Sequence, residues 1–314
     1  MISSRKLVHT IFLLSLPIIV AAFGLSWLTA LLLVLVALLW RWALAFIGLT
    51  KPEHKDAVVL ESISGSHFVE KVRWSLDRLG VEYVERASGG ILGVLFFGRT
   101  VPRLNFRSGM VRSSIGNSAE ILRFLWGHYG VREPQRAAFL QPTADAIDLE
   151  KRLDRYGAHL QVWGYYHMLP VPELSVRFWG VDDPHVPWWQ RMLLRPFYPL
   201  YAGFLKRAFR IDEKGYQRAR QQIDELLADL ETQLADGRAN LFATDEPTFV
   251  DITFAALSGL WLTPANHGGG RAGSCMVARN RLPGGMQEDI ERWIEDHPRA
   301  TALVNRLYAE ERIA

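Results

Sequence analysis

A hydroxyl group at the start of a predicted helix is the first feature of this sequence that could take part in chemistry. Ser66 follows Gly65 and directly precedes the segment HFVEKVRWSLDRLG, in which apolar residues recur at helical spacing until Gly80. The first turn of a helix carries unpaired backbone N–H groups and a partial positive charge, so it stabilises a bound anion or thiolate. Serine is also a common N-cap, and the local sequence alone favours that structural role.

The predicted helix must be positioned by a strand, and residues 57–63 form an apolar run that predicts one. From Phe68 onward the apolar positions define one face of the helix, and charged residues define the other. The residues of the charged face are Glu70, Lys71, Arg73, Asp77 and Arg78. The segment from residue 57 to Gly80 therefore reads as strand, turn and helix.

Three further short segments predict a hairpin and a closing helix. They are RTVPRL at residues 99–104, GMVR at residues 109–112 and NSAEILRFL at residues 117–125. Pro102 cannot donate a ladder hydrogen bond, so we expect it at a strand start or a bend. Ser118 opens the helix, where it suits either an anion or an N-cap. Residues 84–97 give no clear second strand.

Taken in this order, the motifs over residues 57–129 resemble the N-terminal, thioredoxin-like domain of the cytosolic glutathione transferase superfamily. The resemblance implies that Ser66 stands at the activating position, where the hydroxyl of serine-type members hydrogen-bonds the thiolate of glutathione. It also implies a cis bond before Pro102, which turns the backbone of Val101 toward the peptide. Ser118 would hold the γ-glutamyl carboxylate.

The expected glutathione-binding set is completed by His67 and Asn117, which flank the two serines. Both depart from the family pattern, in which a proline and an acid are commoner. Cysteine-type redox chemistry is excluded at this turn, since Ser66 and Val69 stand where sulfur would be needed. Lowering a thiol pKa of about 8.5 by two units takes roughly 2.7 kcal/mol, which a charge-assisted hydrogen bond and a helix end can supply.

The second half of the sequence, from about Val131, has the periodicity of amphipathic helices. Its sharpest signal is PTFVDITFAAL, in which Thr248 and Asp251 predict a capping box before an apolar run. A buried helix of the C-terminal domain opens in this way in glutathione transferases. We expect Asp251 to have a structural role.

Two segments of the second half are candidates for substrate binding. Residues 264–276 combine the Gly268-Gly269-Gly270 run with His267, Arg271 and Cys275, which fits either a mobile lid near the electrophile or an ordinary flexible loop. Residues 163–210 are rich in aromatic side chains, and from residue 187 they combine these with basic ones. That composition suits either a helix at a membrane surface or an insertion packed on the helical domain.

The N-terminus has the composition of a membrane anchor. The 34 residues from Leu7 to Trp40 contain no Asp, Glu, Lys or Arg. One span needs about 20 residues, so the segment predicts either one helix or a hairpin of residues 7–23 and 27–46. A cleaved signal peptide is a third interpretation. Basic residues flank both ends, which favours a hairpin and places the remaining chain in the cytoplasm.

Net charge and cysteine content argue against several classes of function and kinds of site. A net charge of +3 without a basic cluster argues against nucleic-acid binding, and the single cysteine, Cys275, excludes an internal disulfide and a thiolate zinc cage. No metal site is expected.

The sequence therefore predicts three parts: a membrane anchor at residues 1–50, an α/β thioredoxin-like glutathione-binding domain at residues 57–130, and an all-α domain at residues 131–314. The resemblance implies an enzyme that conjugates glutathione, its co-substrate, to a hydrophobic electrophile at the membrane surface, and it implies a homodimer. Two alternatives stay open: a non-catalytic scaffold of the same fold, and glutathione-dependent ether cleavage or isomerisation.

Overall fold

The fold is described from a computed structural model of the chain. It describes residues 15, 22–24, 26–50, 53–90, 92, 101–109 and 111–312.

Before residue 130, the described residues form four strands and three long helices. Their bounds are α1 Trp27–Thr50, β1 Glu53–Ser62, α2 His67–Arg78, β2 Val84–Ala87, β3 Arg103–Gly109, β4 Val111–Gly116 and α3 Ser118–Tyr129. The described remainder is helical, with α4 Pro134–Ala137, α5 Ala144–Met168, α6 Pro172–Phe178, α7 Trp188–Leu194, α8 Tyr198–Phe209, α9 Glu213–Gln233, α10 Phe249–Leu262, α11 Gly284–Asp296 and α12 Pro298–Glu310. Short 3₁₀ turns occupy Ala138–Leu140, Leu234–Asp236 and Arg279–Arg281.

The strands form one mixed sheet in the order β2-β1-β3-β4. β1 pairs with β2 in parallel and with β3 in antiparallel, and β4 pairs with β3 in antiparallel. The parallel pair is joined through α2, and the hairpin is followed by α3, which is the thioredoxin-like arrangement expected from the sequence. The inward side chains of β1 and β3, such as Leu60 and Leu104, are fully buried.

Two strand predictions need correction. β1 begins at Glu53, so the polar residues before Ala57 belong to the strand and not to a linker. A second strand is present as β2, although residues 84–97 gave no clear signal for one. β2 has only four residues and lies at the sheet edge, where Val84 is 61% exposed, so it lacks the alternating apolar pattern of a buried strand.

α2 ends close to the expected position, but its charged residues are not on a solvated face. Glu70, Lys71 and Arg73 are fully buried. Each is paired: Glu70 with Arg312 at 2.8 Å, Lys71 with Glu150 at 2.8 Å, and Arg73 with a carboxylate of the edge strand. Little of the helix is exposed because α10 and α3 pack against it, and Glu150 of α5 pairs with Lys71.

α10 forms the centre of the helical part. All 14 of its residues are buried, and it packs against α2, α5 and α12. The predicted capping box is confirmed: the backbone N–H of Thr248 donates to Asp251 Oδ2 at 2.8 Å. Asp251 Oδ1 also accepts from the backbone N–H of Leu241 at 2.7 Å, so this fully buried carboxylate is structural, as expected.

α1 contains the described part of the predicted membrane anchor. Side chains such as Leu28 and Leu39 are exposed, and the side chains after Trp42 in this helix are not described. Most of the first predicted hairpin arm, residues 7–23, lies outside the described residues. Over the part of the chain that the structure describes, no helix combines the length and apolar content needed to cross a membrane.

Candidate functional site

A cavity of about 360 Å³ opens between the turn before α2 and the helices of the second part. Its walls are Ile63, Ser66, His67, Phe68, Val101, Pro102, Asn117, Ser118, Asp154, Gln161, Gly164, Tyr165, Met168, Phe178, Phe209 and Leu260. All six residues that the sequence predicts to bind glutathione therefore line one cavity, although they come from three separate segments of the first domain.

Ser66 is the N-cap residue of α2 by backbone conformation, with φ −74° and ψ 123°. Its side chain nevertheless makes no capping hydrogen bond to the helix. The carbonyl of Ser66 instead accepts from the backbone N–H groups of Val69 and Glu70, both at 3.0 Å. The local sequence favoured a capping role for this hydroxyl, and the geometry removes that role. The hydroxyl of Ser66 is thus available to a ligand in the cavity.

α3 begins at Ser118, as the sequence predicts, but Ser118 is not the N-cap. The N-cap is Asn117, whose Oδ1 accepts from the backbone N–H of Ala119 at 3.1 Å, while Ser118 is the first residue of the helix. Asn117 has a positive φ of 71°, a conformation that costs on the order of 1–3 kcal/mol for a non-glycine residue. Such a conformation sets the direction in which the chain enters α3, and Ser118 is held at the cavity wall with 2% exposure.

The peptide bond between Val101 and Pro102 is cis, as the sequence comparison implied. Pro102 directly precedes β3, which confirms its predicted place at a strand start. Val101 is partly buried and lines the cavity beside the N-terminal ends of α2 and α3. A peptide in the cavity would meet two helix ends and one stretch of extended backbone.

His67 joins the two halves of the molecule at the cavity wall. It is 4% exposed, and its Nε2 lies 2.9 Å from the carbonyl oxygen of Gly157 in α5, so Nε2 carries the proton and donates. Burial lowers the pKa of His67 from 6.5 to about 4. The imidazole is therefore neutral at pH 7, and its observed contact is structural.

The helical part supplies a wall that the sequence did not predict residue by residue. Tyr165 and Met168 of α5, Phe178 of α6 and Phe209 of α8 line the cavity, and the rings of Tyr165 and Phe209 lie 6.1 Å apart. Burial raises the pKa of Tyr165, which keeps its phenol neutral. The aromatic composition of residues 163–210 was the signal for this wall. The composition alone could not show which of these aromatic side chains face the cavity.

Asp154 of α5 is the acidic side chain of the cavity lining. Its Oδ1 lies 3.2 Å from the ammonium of Lys71. Burial raises the pKa of Asp154, and the charge of Lys71 opposes that shift. The carboxylate thus lies within a mostly apolar wall and can accept a hydrogen bond from a ligand ammonium group.

The glycine-rich loop at residues 264–276 does not line this cavity. His267 is 1% exposed, and its Nδ1 lies 3.0 Å from the hydroxyl of Tyr308. Gly268 and Gly269 have φ values of +74° and +60°, and a Cβ on Gly269 would lie 2.8 Å from Nη2 of Arg312. The loop is packed against the buried charges of α2, so the lid interpretation is not supported by its contacts.

Cys275 is fully buried beside the cavity and not within it. Its side chain lines a small neighbouring void with Met168, Phe178 and Leu260, which also belong to the cavity wall. Burial raises the pKa of the Cys275 thiol to about 11, so it is not a reactive thiolate at neutral pH. Among the described residues, no group of three or more His, Cys, Asp or Glu side chains is arranged to hold a metal ion.

Comparison with protein families identifies one matching segment. Residues 213–306 match the family model described as "Glutathione S-transferase, C-terminal domain". This segment runs from α9 to α12 and contains the capping box of α10. A search of curated proteins finds no match.

Solved structures of similar shape are distant in sequence. A glutathione S-transferase from Methylobacterium radiotolerans, in complex with glutathione sulfonate, is 17% identical and has a TM-score of 0.47; the match covers 82% of this chain and 92% of that one. Maleylacetoacetate isomerase from Anaeromyxobacter dehalogenans is 18% identical, with a TM-score of 0.44 and coverage of 83% and 94%. FzlA from C. crescentus is 14% identical, with a TM-score of 0.43 and coverage of 82% and 89%.

At these sequence identities and TM-scores, the structural similarities do not indicate the activity of this chain. The family match is limited to residues 213–306, which are similar to the glutathione S-transferase C-terminal domain.

Proposed function

We propose that the protein is a glutathione-dependent transferase that joins glutathione to a hydrophobic electrophile. The observation that carries the proposal is the unengaged hydroxyl of Ser66 in a cavity that also contains Val101, Pro102, Asn117 and Ser118. A thiol next to Ser66 meets a hydroxyl donor and the N-terminal end of α2, and both favour the thiolate. The C-terminal domain match supports the same family.

The γ-glutamyl and cysteinyl parts of glutathione each have a chemical counterpart in the cavity. The γ-glutamyl carboxylate fits the N-terminal end of α3 at Ser118, since unpaired N–H groups lie there. The cysteinyl backbone fits the extended segment at Val101. The γ-glutamyl ammonium fits the carboxylate of Asp154. The apolar wall, which includes Phe178 and Phe209, is left for the electrophile.

The reaction proposed is a nucleophilic attack in which the thiolate sulfur forms a bond to an electrophilic carbon. The electron pair passes to a leaving group, or to an activated double bond that then takes a proton. Ser66 lowers the energy of the thiolate by donating its hydrogen bond, and it forms no covalent bond itself. Neutral Tyr165 lies in the apolar wall, where its hydroxyl can donate to a developing negative charge on the electrophile.

Retention on immobilised glutathione tests this proposal. We expect the full-length protein to bind the resin and to elute with free glutathione. Ser66→Ala should still bind, because the peptide contacts remain, but its turnover of a model electrophile should fall by at least about tenfold. That loss corresponds to about 1.4 kcal/mol.

Ser64→Ala is the matched control. Ser64 lies two residues before Ser66 in the chain, is 2% exposed, and lines a separate polar cavity. It should keep its turnover. Binding without turnover in the wild type would instead favour the non-catalytic scaffold. Failure of the wild type to bind glutathione would contradict the proposal.

We also propose a membrane-anchored arrangement, with residues 1–50 as anchor, residues 57–130 as the glutathione-binding domain and residues 131–314 as the helical domain. The two domains face the cytoplasm. Its support is the charge-free stretch from Leu7 to Trp40 with basic residues on both sides. A reporter fused at the C-terminus should be active in the cytoplasm, and reporter activity on the opposite side of the membrane would contradict this topology. A homodimer is expected, and light scattering in detergent would test it.

A further inference from the structure

The segment from α7 to α8 has two different sides. Its inward side forms a small core of its own, in which Leu194, Tyr198, Tyr201 and Leu205 pack against Trp179. The predicted packing of this segment as a hydrophobic insertion on the helical part is thus correct for one side. The other side remains uncovered in the described structure.

The uncovered side has an unusual density of large apolar residues. Nine such residues are exposed among the described residues after Thr50, and six of them lie in this segment. They are Trp188, Met192, Phe197, Leu200, Phe204 and Phe209, with exposures between 39% and 67%. Isolated exposed apolar residues are normal, but a cluster marks a contact surface.

The spacing of these residues places them along one side of each helix. Trp188 and Met192 are four residues apart in α7, and Leu200 and Phe204 are four apart in α8. The buried Tyr201 and Leu205 define the opposite side of α8. We call the surface formed by Trp188, Met192, Phe197, Leu200 and Phe204 the aromatic surface.

The charged residues of the segment that carries the aromatic surface are all positive. Residues 184–211 contain Arg191, Arg195, Lys206, Arg207 and Arg210 and no Asp or Glu. Arg195 and the three basic residues after Leu205 are exposed. A symmetric contact between two copies through this surface would bring like charges together. An anionic bilayer surface satisfies both the apolar and the basic side chains, because it offers acyl chains beneath negative headgroups.

We propose that the aromatic surface docks on an anionic phospholipid bilayer. Trp188, Met192 and Phe204 insert at the level of the headgroups, and the surrounding arginine and lysine side chains contact phosphate groups. Phe209 lies at the end of α8, where it is 39% exposed and also lines the cavity. The helix that carries part of the docked surface therefore also contributes a residue to the cavity wall. This docking does not depend on glutathione chemistry, and its test makes no use of activity.

A spin label on the aromatic surface tests the proposal in the full-length protein. We would label Met192→Cys and, as the matched control, Val131→Cys, which is 87% exposed on another part of the molecule. Cys275 is fully buried and should not react, which the unsubstituted chain would verify. Each protein is reconstituted into phosphatidylcholine vesicles with or without phosphatidylglycerol. The readout is label accessibility to dissolved oxygen relative to a water-soluble nickel complex.

We expect this ratio to rise several-fold at position 192 in vesicles containing phosphatidylglycerol and to stay at its aqueous value at position 131. Lys206→Glu combined with Arg207→Glu should lower the ratio at 192, as should a change from about 0.1 M to 1 M salt, since screening weakens the ionic contacts. Both substituted residues are exposed, so folding should be retained.

An aqueous ratio at position 192 in all vesicles would overturn the proposal. So would low accessibility to both reagents with dipolar broadening between labels, because that result assigns the surface to a second copy of the chain. These readouts come from position 192 itself and are therefore independent of how residues 1–50 bind the membrane.

Discussion

The hydroxyl of Ser66 lies at a helix terminus without capping it, and this separation of backbone from side chain is the main chemical feature of the site. The backbone of Ser66 already accepts from two N–H groups of the first turn. The hydroxyl of Ser66 makes no capping hydrogen bond of its own and is therefore free for a ligand. The sequence could identify the serine from its place before the helix, but not whether its oxygen was engaged.

Asn117 is a residue whose place in the sequence was informative but whose backbone conformation was not predictable. The sequence placed it beside Ser118, yet its positive φ and its role as the N-cap of α3 were not predicted. The conformation results from the turn that joins β4 to α3, which depends on tertiary packing. Asn is enriched among non-glycine residues with positive φ, but this propensity does not specify which Asn adopts the conformation.

His67 gives a prediction for the pH dependence of stability. The unfolded chain protonates this side chain near pH 6.5, whereas burial lowers its folded pKa to about 4. Between these values the unfolded state binds more protons, so the stabilising contribution is full above pH 6.5 and is lost as pH falls toward 4. The loss is roughly 3 kcal/mol.

His67→Gln should weaken this dependence, because glutamine can still donate to the carbonyl of Gly157 but does not titrate. His267 has the same shift, to about 4, and should account for a remaining part of the slope. Denaturant unfolding followed by tryptophan fluorescence at pH 7 and pH 5 measures the effect. An unchanged difference between the two pH values in the variant would show that His67 does not contribute.

At the scale of elements, α2 is the connection between the two parts of the molecule. Its apolar spacing and its end just before Gly80 were predictable, because they are local properties of the sequence. The burial of Glu70, Lys71 and Arg73 was not, since their partners come from distant segments; Arg312 is 242 residues away from Glu70. The charged side of a helix normally faces water. Only the tertiary structure shows that these three charged side chains are buried instead.

The pair formed by Glu70 and Arg312 should be important for stability because both side chains are fully buried. Arg312→Met leaves the Glu70 carboxylate buried without its main partner, which we expect to cost about 3–5 kcal/mol. Adding Glu70→Gln should recover part of that loss, since the remaining uncompensated charge is removed. Urea unfolding of the single and the double variant measures the loss and the partial recovery of the free energy of unfolding.

Arg152→Met is the control for this pair. Arg152 contacts Asp229 at the surface with 42% and 65% of the two side chains exposed, so its loss should change the free energy of unfolding by less than about 1 kcal/mol. Equal destabilisation by Arg152→Met and Arg312→Met would contradict the assignment of α2 as the buried connection.

At the scale of the whole molecule, the cavity is assembled from both parts. Three short segments of the thioredoxin-like part provide the six predicted glutathione-binding residues, and α5, α6, α8 and α10 provide the apolar wall. These six residues could be predicted because each lies at or next to the start of a helix or a strand, where sequence signals are strong. The apolar wall could not, because Gly164, Met168 and Leu260 differ from other core residues only in what they face.

The state of the thiol of bound glutathione tests the central claim most directly. Ultraviolet difference absorption of the thiolate can be followed against pH for glutathione bound to the full-length protein, to Ser66→Ala and to Ser64→Ala. We expect the bound thiol to titrate about two pH units below its usual value of about 8.5 in the wild type and in Ser64→Ala, because Ser66 and the end of α2 stabilise the anion. In Ser66→Ala the titration should return most of the way to that usual value. Saturating glutathione whose thiol titrates near pH 8.5 in the wild type, or equally low in Ser66→Ala, would contradict the account.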